Sequence, residues 1–349
     1  MVCPFVPLSI STSMTMLPLR DQLDIDKLQS VIKGHHRVLL KVPDGLLSLA
    51  IDVADIVSEN GSVPIISADS CYGACDISND LGTLNVDLIV FIGEAQMISL
   101  ADQYPVPAVS FVIQNPYPIK EVIHRAIPLL EGTKIGLVSI APYIHQIETA
   151  AALMIKQGLS PLIGKKSRRT GTDGQILGCD LSVGMTLADH VDSYLYIGDG
   201  MFHPLGLALA TKKPVIVANP AQNKVLKKEV TEMKNQLLKQ RYAAIAHAME
   251  AKRVGIIVGL KLGQNRIQLA QRLKERAEEN GLTAYYIAAN NLQPDRLDYL
   301  DVDCYVSTAC PRVALDDNHR FAKHLLTPIE FEILLGERSW DEYEFDQIL

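Results

Sequence analysis

The chain has 349 residues, of which 48% are hydrophobic and 21% charged, enough for two or three soluble globular domains. Its 33 Lys and Arg against 40 Asp and Glu give a net charge of -7 without a long basic run, which argues against a nucleic-acid partner. No segment approaches the roughly 20 apolar residues of a membrane span, and residues 1–19, interrupted by prolines and lacking a basic start, predict the leading arm of a cytoplasmic protein.

The first predicted unit, residues 1–115, alternates strands with one helix. Apolar positions at helical spacing run up to Val57, and Asn60-Gly61 ends that helix. Cys71 and Cys75 lie in a polar turn between the second and third strands. The strands are predicted at residues 38–42, 63–66, 86–92 and 106–113.

The second and third units, residues 116–222 and 223–349, repeat this order of elements. Each has a strand, a helix that ends at a glycine (Gly158 and Gly281), and further strands. Residues 224–250 have helical spacing and predict one or two connecting helices. Strands are predicted at residues 135–140, 194–197 and 215–218, and at residues 254–258, 284–288 and 302–306.

Strands that alternate with helices of this length favour parallel sheets, because a parallel crossover needs about a dozen residues or more. The sequence therefore predicts an α/β fold of three repeated small domains, each a mostly parallel sheet flanked by helices. One cysteine follows strands in each domain, namely Cys75, Cys179 and Cys310. Ligands of open parallel sheets gather at the carboxyl ends of the strands, and these cysteines are predicted to lie there.

Six cysteines stand at positions 3, 71, 75, 179, 304 and 310, too scattered for a disulfide scaffold. One thiolate per domain can converge on a central iron-sulfur cluster if the three domains pack around a common axis. Three ligands leave one iron without a protein thiolate, and an open position of this kind can bind a substrate. Zinc is the alternative metal, yet structural zinc usually takes four ligands, often in CxxC pairs that this chain lacks.

The other cysteines have simpler interpretations. Cys71 is predicted to be a buried neighbour of the turn, with a spare thiolate as the alternative. Cys304 lies within an apolar run and is predicted to pack in a buried strand. Cys3 belongs to the leading arm and carries no predicted role.

Short segments around the three cysteines resemble the motifs of one enzyme family. They read Tyr-Gly-Ala-Cys-Asp at 72–76, Gly-Gln-Ile-Leu-Gly-Cys at 174–179 and Ala-Cys-Pro-Arg at 309–312. The turns Val-Pro-Asp-Gly-Leu at 42–46 and Gly-Asp-Gly-Met-Phe-His-Pro at 198–204 agree, as does Leu-Thr-Pro-Ile-Glu-Phe at 326–331. Together these segments, which span nearly the whole chain, resemble the diphthamide synthesis enzymes.

The resemblance implies a noncanonical radical transferase. In this family a 4Fe-4S cluster binds S-adenosylmethionine, and reduction breaks the bond between its sulfur and the methionine Cγ. The resulting 3-amino-3-carboxypropyl radical adds to a histidine of translation elongation factor 2, which is the first step of diphthamide biosynthesis. The retained cysteines imply the archaeal type, a homodimer served by an electron donor.

The resemblance assigns the cluster to Cys75, Cys179 and Cys310, and the loops around them contain candidate residues for binding S-adenosylmethionine. Asp44 and Asp199 could accept hydrogen bonds from the ribose or amino group, or could cap helices. Arg312 could pair with the methionine carboxylate or form a salt bridge across a domain seam. The candidates are Asp44, Gly45, Asp199, Gly200, His203, Gln264, Arg312 and Asp316.

Three further segments contain polar or charged residues that could have a role. Gln264 and Arg266 begin a helix whose free N–H groups favour an anion, with a solvated first turn as the alternative. The basic cluster at residues 165–169 could steer an acidic partner or could be a solvated surface loop. Gly93-Glu94 departs from the family, which often has a histidine after that glycine, so the loop has no assigned role.

Two other functions fit three cluster-binding cysteines. Quinolinate synthase has three domains that each supply one cysteine to a 4Fe-4S cluster, although its characteristic segments are not found in this chain. A noncatalytic partner subunit that only binds a cluster is the second alternative, against which the three intact cysteines argue.

Overall fold

The computed structural model describes residues 23–69, 71, 73, 75–76, 81–95, 97 and 103–349. The predicted leading arm with Cys3, and the motif residues Tyr72 and Ala74, lie outside the described residues. The chain divides into two compact units. The first runs to Pro116 and includes Arg169–Gly171, and the second comprises Tyr117–Arg168 and Thr172–Leu349.

The first unit contains a parallel four-stranded sheet in the order β2-β1-β3-β4. Strand β3 is buried along its whole length, as expected for a strand of a parallel sheet covered on both faces. The helices are α1 (Ile25–Ile32), α2 (Ala50–Glu59) and the 3-10 helices Asp44–Leu49 and Leu81–Leu84. The strands are β1 (Arg37–Lys41), β2 (Val63–Ile66), β3 (Leu88–Ile92) and β4 (Ala108–Phe111).

The second unit begins with a five-stranded sheet in the order β6-β5-β7-β8-β9. Its strands are β5 (Lys134–Ser139), β6 (Ser160–Ile163), β7 (Ser193–Ile197), β8 (Val215–Asn219) and β9 (Lys224–Leu226). The helices are α3 (Lys120–Ala126), α4 (Ile147–Ile155), α5 (Ser182–Met185) and α6 (Phe202–Thr211). Short 3-10 helices span Ile127–Leu129, Ala141–Gln146 and Ala188–His190.

A third, parallel sheet in the same unit has the order β11-β10-β12-β13. Its strands are β10 (Arg253–Gly259), β11 (Thr283–Ala289), β12 (Cys304–Ser307) and β13 (Leu325–Leu326). The helices are α7 (Lys228–Ala248), α8 (Ile267–Glu279), α9 (Pro294–Leu297), α10 (Pro311–Leu315) and α11 (Pro328–Leu334). Short 3-10 helices span Leu262–Gln264, Asn318–Arg320 and Trp340–Glu342.

The predicted fold class is confirmed, because three mostly parallel sheets flanked by helices are present. Helices α2, α4 and α8 are each followed by a glycine with positive φ, of 81° at Gly61, 79° at Gly158 and 78° at Gly281. Glycine adopts this left-handed conformation at the least cost, so it ends each helix at the same point of the repeat. The domain bounds at residues 115 and 222 stay predictions.

One segment was predicted wrongly. Residues 224–226 carry a helical pattern but form strand β9, which pairs antiparallel with β8. The unpaired backbone groups at the edge of β8 give this short stretch hydrogen bonds that composition does not reveal. A single helix, α7, follows at Lys228, and none of the described helices is long and apolar enough to cross a bilayer.

Candidate functional site

The turn after β2 carries two cysteines in different surroundings. Cys71 is buried, its Sγ lies 3.8 Å from the Gly73 carbonyl oxygen, and burial raises the pKa of its thiol to about 11. Cys75 is partly exposed, and neither cysteine forms a disulfide. Because the thiolate is the form that binds metal, the raised pKa of the Cys71 thiol disfavours it as a ligand, and Cys75 stays the predicted ligand of this turn.

Glu94 lies beside that turn, just after β3. A methyl group added to Gly73 would lie 3.6 Å from Glu94 Oε2 and 3.8 Å from Cys75 Sγ, so the carboxyl and the thiol border the same glycine. Burial raises the pKa of Glu94 to about 7. Sequence reasoning assigned no role here, although a carboxylate after a strand-ending glycine was an available signal.

The carboxyl end of β1 presents the first predicted cosubstrate residues. Asp44 and Gly45 are exposed in the 3-10 helix Asp44–Leu49, and no side chain caps that helix, so Asp44 is not a cap. Lys41, the last residue of β1, is buried and donates from Nζ to Ser67 Oγ at 3.2 Å. Sequence reasoning missed this amine, which lies at the carboxyl ends of the strands, as Glu94 does.

The loop that carries Cys179 is fastened to the end of β5. Ile176 donates its N–H to the Ser139 carbonyl at 2.9 Å, and Leu177 bonds Asp180 in both directions. A methyl group on Gly178 would lie 2.8 Å from the Phe202 ring and 3.6 Å from His203 Nε2. Only glycine allows the loop to approach helix α6 this closely, which brings the partly exposed Cys179 next to His203.

Two tyrosines hold the Gly-Asp-Gly turn after β7. The Tyr196 hydroxyl donates to the Asp199 carbonyl at 2.9 Å, and the Tyr143 hydroxyl donates to the Asp199 carboxylate. Asp199 is exposed as a residue, yet desolvation raises the pKa of its carboxyl, an effect that the Tyr143 hydrogen bond opposes. No side chain caps helix α6, so Asp199 is not a cap either, and Gly200 has a φ of 68°, which favours glycine.

His203 is the neutral imidazole of this region. Its ring stacks on Tyr196 with the centroids 6.3 Å apart and an interplanar angle of 11°. Burial, and then the charge of Arg312, lower its pKa to about 3. His203 is therefore uncharged at neutral pH, and it is both packed against aromatic rings and adjacent to the Cys179 loop.

Cys310 is the N-cap residue of α10, and the short loop Thr308-Ala309 connects it to β12. Thr308 fastens the preceding loop through its hydroxyl, which donates to the Ile257 carbonyl at 2.8 Å. On the next turn, the Arg312 guanidinium lies 4.7 Å from the centroid of the Phe202 ring and pairs with Asp316 at 3.0 Å. The Arg312 salt bridge is thus within α10 and its C-cap, and desolvation raises the pKa of Asp316 despite it.

The start of α8 differs from its predicted anion site. Gln264 is buried, so the solvated first turn is wrong for this residue. Asn265 Oδ1 accepts from the Ile267 N–H at 3.1 Å, and the Arg266 guanidinium pairs with Asp346. Arg266 is therefore engaged by the protein itself and is not presented to an anion.

The basic cluster splits in two. Lys165 is exposed and pairs with Asp173 at 2.9 Å, which agrees with a solvated surface loop. Arg169 is buried, and its Nη2 lies 3.1 Å from Met97 Sδ within the first unit. The surface interpretation is therefore wrong for Arg169, because its guanidinium is folded into the protein.

The second unit thus brings Cys179, His203 and Arg312 to one region, with Phe202 as their common neighbour. Cys75, Asp44 and Glu94 lie in the first unit. Within either unit, the described residues form no ready group of three or more His, Cys, Asp or Glu around a metal position. Cys304 packs in the core of the third sheet, as predicted, and burial raises its pKa to about 12.

Comparison with known proteins identifies the family. Residues 42–344 match the family model of the diphthamide synthesis protein. The chain belongs to the diphthamide synthesis family. The resemblance inferred from the cysteine motifs is confirmed, and the family match favours it over the quinolinate synthase alternative.

Relatives of this family cover almost the whole chain. A 2-(3-amino-3-carboxypropyl)histidine synthase of Pyrococcus horikoshii is 36% identical over 320 residues, which is 90% of each chain. The enzyme of the same name from Methanocaldococcus jannaschii is 29% identical over 351 residues, 96% of this chain and 94% of the relative. The crystal structure of Dph2 from Pyrococcus horikoshii with a 4Fe-4S cluster has a TM-score of 0.85 at 32% identity and covers 94% of both chains.

Proposed function

We propose that the protein is a 2-(3-amino-3-carboxypropyl)histidine synthase. It transfers the 3-amino-3-carboxypropyl group of S-adenosylmethionine to a histidine of translation elongation factor 2, with methylthioadenosine as the other product. The observation that carries the proposal is the 36% identity, over 90% of both chains, to a relative with that name. The three-sheet fold and the similar fold of a cluster-containing Dph2 support it.

Cys75, Cys179 and Cys310 are the proposed ligands of a 4Fe-4S cluster. The donor chemistry fits, because all three are partly exposed and none forms a disulfide, whereas Cys71 and Cys304 are buried thiols with raised pKa values. When bound, the cluster supplies the electron and an open iron for cleaving the Cγ–S bond. The chain's own task is to hold the cosubstrate and to aim one carbon at the imidazole.

Charge around α6 and α10 suits a sulfonium cosubstrate. Arg312, with 46% of its side chain exposed, is the proposed partner of the methionine carboxylate. A cation–π contact with the Phe202 ring holds its guanidinium in place. Neutral His203 adds no positive charge that would repel the sulfonium. Asp44 and Asp199 are the proposed contacts of the ribose or the amino group. The rest of the proposed cosubstrate site consists of Gly45, Gly200, His203, Gln264 and Asp316.

The remaining partners belong to the same proposal. The enzyme is a cytoplasmic homodimer that receives its electron from a separate donor protein and binds elongation factor 2 as its protein substrate. The chain's net charge of -7 gives it no general affinity for the nucleic acids that surround translation factors. Light scattering of the purified protein tests the dimer, and a mass equal to one chain would contradict it.

Anaerobic reconstitution tests the chemistry. With iron, sulfide, dithionite and S-adenosylmethionine, the protein should release methylthioadenosine and add the aminocarboxypropyl mass to elongation factor 2. Cys75→Ala, Cys179→Ala and Cys310→Ala should each lose iron and activity, whereas Cys304→Ala, the matched control in a buried strand, should keep both. Formation of 5'-deoxyadenosine by a loaded enzyme, or no cleavage at all, would refute the proposal.

A further inference from the structure

The last residues of the chain form a strap without regular secondary structure. This C-terminal strap, Tyr343–Ile348, follows the 3-10 helix Trp340–Glu342 and has no helix or strand of its own. Its Tyr343, Phe345, Asp346 and Ile348 are nevertheless buried. An irregular segment that buries this much must be held by specific contacts, since no ladder of backbone bonds stabilises it.

Arg266 fastens the strap to the loop that precedes Cys310. Its guanidinium donates to both Asp346 oxygens, at 2.8 and 2.7 Å, and to the Gln347 carbonyl at 3.0 Å. Its remaining bonds go to the carbonyls of Thr308, at 2.7 Å, and Ala309, at 3.0 Å. All five N–H donors of the guanidinium are thus used, and they link the strap directly to the residue before Cys310.

The same end of the strap, at Gln347 and Ile348, is also fastened to the Cys179 loop. The Ile348 N–H donates to the Cys179 carbonyl at 2.8 Å. The Leu181 N–H donates to Gln347 Oε1 at 2.8 Å, and Gln347 Nε2 lies 3.0 Å from Met185 Sδ. These bonds fix the backbone of the loop at Cys179 and at Leu181, two residues after the thiol.

The middle of the strap packs against α6, the helix that contains the predicted cosubstrate residue His203. Phe345 meets Phe202 edge to face, with the ring centroids 5.7 Å apart. A methyl group added to Gly206 would lie 3.2 Å from the Phe345 ring, so the strap lies tightly on α6. The same Phe202 ring carries Arg312 on its face, which connects the strap to a third element of the region.

We propose that the C-terminal strap and Arg266 position the loops of Cys179 and Cys310 for metal binding. The two loops belong to different sheets, with 310 − 179 = 131 residues between their cysteines, so local structure cannot set their spacing. The strap bonds the backbone at one cysteine and, through Arg266, the residue next to the other. Arg266, Asp346 and Gln347 are positioning residues, and their assignment rests on the proposed cluster function.

The test compares Arg266→Gln and Asp346→Asn with the matched control Arg276→Gln. Arg276 lies in α8, the helix for which Arg266 is the N-cap residue, and it pairs with Glu337 at 2.6 Å on the surface. Residues that orient metal ligands typically contribute 10- to 100-fold to metal affinity, so both strap variants should hold iron about 10- to 100-fold more weakly against a chelator. The control should match the wild type.

Two readouts separate positioning from general stability. Far-UV circular dichroism and the protection of Cys304 from alkylation should stay unchanged, while Cys179 and Cys310 of the apo-protein react faster with iodoacetamide. The electron paramagnetic resonance spectrum of the reduced, reconstituted variants should also differ from that of the wild type. If Arg266→Gln fails to fold, iron retention and alkylation rates of the isosteric Asp346→Asn variant test the proposal instead.

The outcomes are distinct. Wild-type iron retention, resonance spectrum and alkylation rates in both strap variants would overturn the strap proposal and leave the proposed function intact. A wild-type protein that takes up no iron would overturn the cluster function, and alkylation of the apo-protein would then decide whether the strap positions the two loops.

Discussion

Replacing Glu330 with Gln tests the buried ion pair that supports the Cys310 helix. Arg241 of α7 and Glu330 of α11 have 1% and 0% of their side chains exposed, and Arg241 Nε donates to Glu330 Oε1 at 2.7 Å. Arg241 also donates to the carbonyls of Ala314, at 2.9 Å, and Leu325, at 2.7 Å. Because Ala314 lies in α10, the pair connects the long helix to the element that follows Cys310.

Glu330→Gln keeps the shape of the side chain but leaves the guanidinium buried without its counter-charge. Removing one member of a buried pair costs about 3–5 kcal/mol, so the free energy of unfolding should fall by roughly that amount. The control is Arg253→Gln, which breaks the exposed ion pair with Asp301 and should cost less than about 1 kcal/mol. Desolvation of an uncompensated charge, rather than loss of one bond, is the reason for the difference.

Tryptophan fluorescence can follow the unfolding of this region, because the chain has a single tryptophan. Trp340 lies 4.9 Å from the ring of Tyr343, whose hydroxyl bonds Glu330 at 3.2 Å, so its fluorescence during urea unfolding reports on this region. The double variant Arg241→Met with Glu330→Gln removes both charges and should be more stable than Glu330→Gln alone. The reasoning would be refuted if Glu330→Gln lowered the free energy of unfolding by less than about 1 kcal/mol. It would also be refuted if the double variant were less stable than both Glu330→Gln and Arg241→Met alone.

Three other perturbations have defined outcomes. Burial raises the pKa of Glu94 from 4.5 to about 7, so the folded protein keeps a proton that the unfolded chain loses, and stability falls by roughly 3 kcal/mol as pH rises through that window. Glu94→Gln should therefore stabilise the apo-protein at pH 8 but not at pH 4, and equal urea midpoints at pH 8 would contradict this. Arg312→Met should raise the KM for S-adenosylmethionine about tenfold or more in a methylthioadenosine assay, because a charge-assisted bond is worth about 1.5–3 kcal/mol, and an unchanged KM would exclude the carboxylate contact. Gly178→Ala should lower iron content after reconstitution, since its methyl would lie 2.8 Å from Phe202; full iron loading would show that the loop tolerates displacement.

The elements that were predicted well are those with local signals. Strand β2 was predicted at its observed bounds of Val63–Ile66, and the glycines that end α2, α4 and α8 were identified from the helical patterns before them. Cys304 was assigned to a buried strand for the same reason, since a continuous apolar run describes its own environment. Strand β9 was missed because its pairing depends on a sheet edge and not on its own three residues.

The candidate site was predicted in part. The proposed ligands Cys75, Cys179 and Cys310 were distinguished from Cys71 by the family motifs and from Cys304 by the apolar run around it. This assignment stays a prediction, as do the roles of Arg312 and His203. The pairing of Arg312 with Asp316 within one helix, and the contact of Gly178 with Phe202, were not foreseen. Side-chain direction and close approach depend on how two elements pack, and the spacing of residues along the chain does not report this.

The amino-acid sequence by itself determined the repeated strand and helix pattern, the ends of the helices and the family to which the three cysteine motifs belong. These features depend on residues within one turn, strand or helix of each other, so periodicity and turn chemistry report them directly. Only the tertiary structure decided which charges are buried: Arg241 meets Glu330 from 89 residues away, and Arg266 meets Asp346 from 80. A charged side chain can be buried only where a partner satisfies it, and that partner is known only once distant segments have packed together.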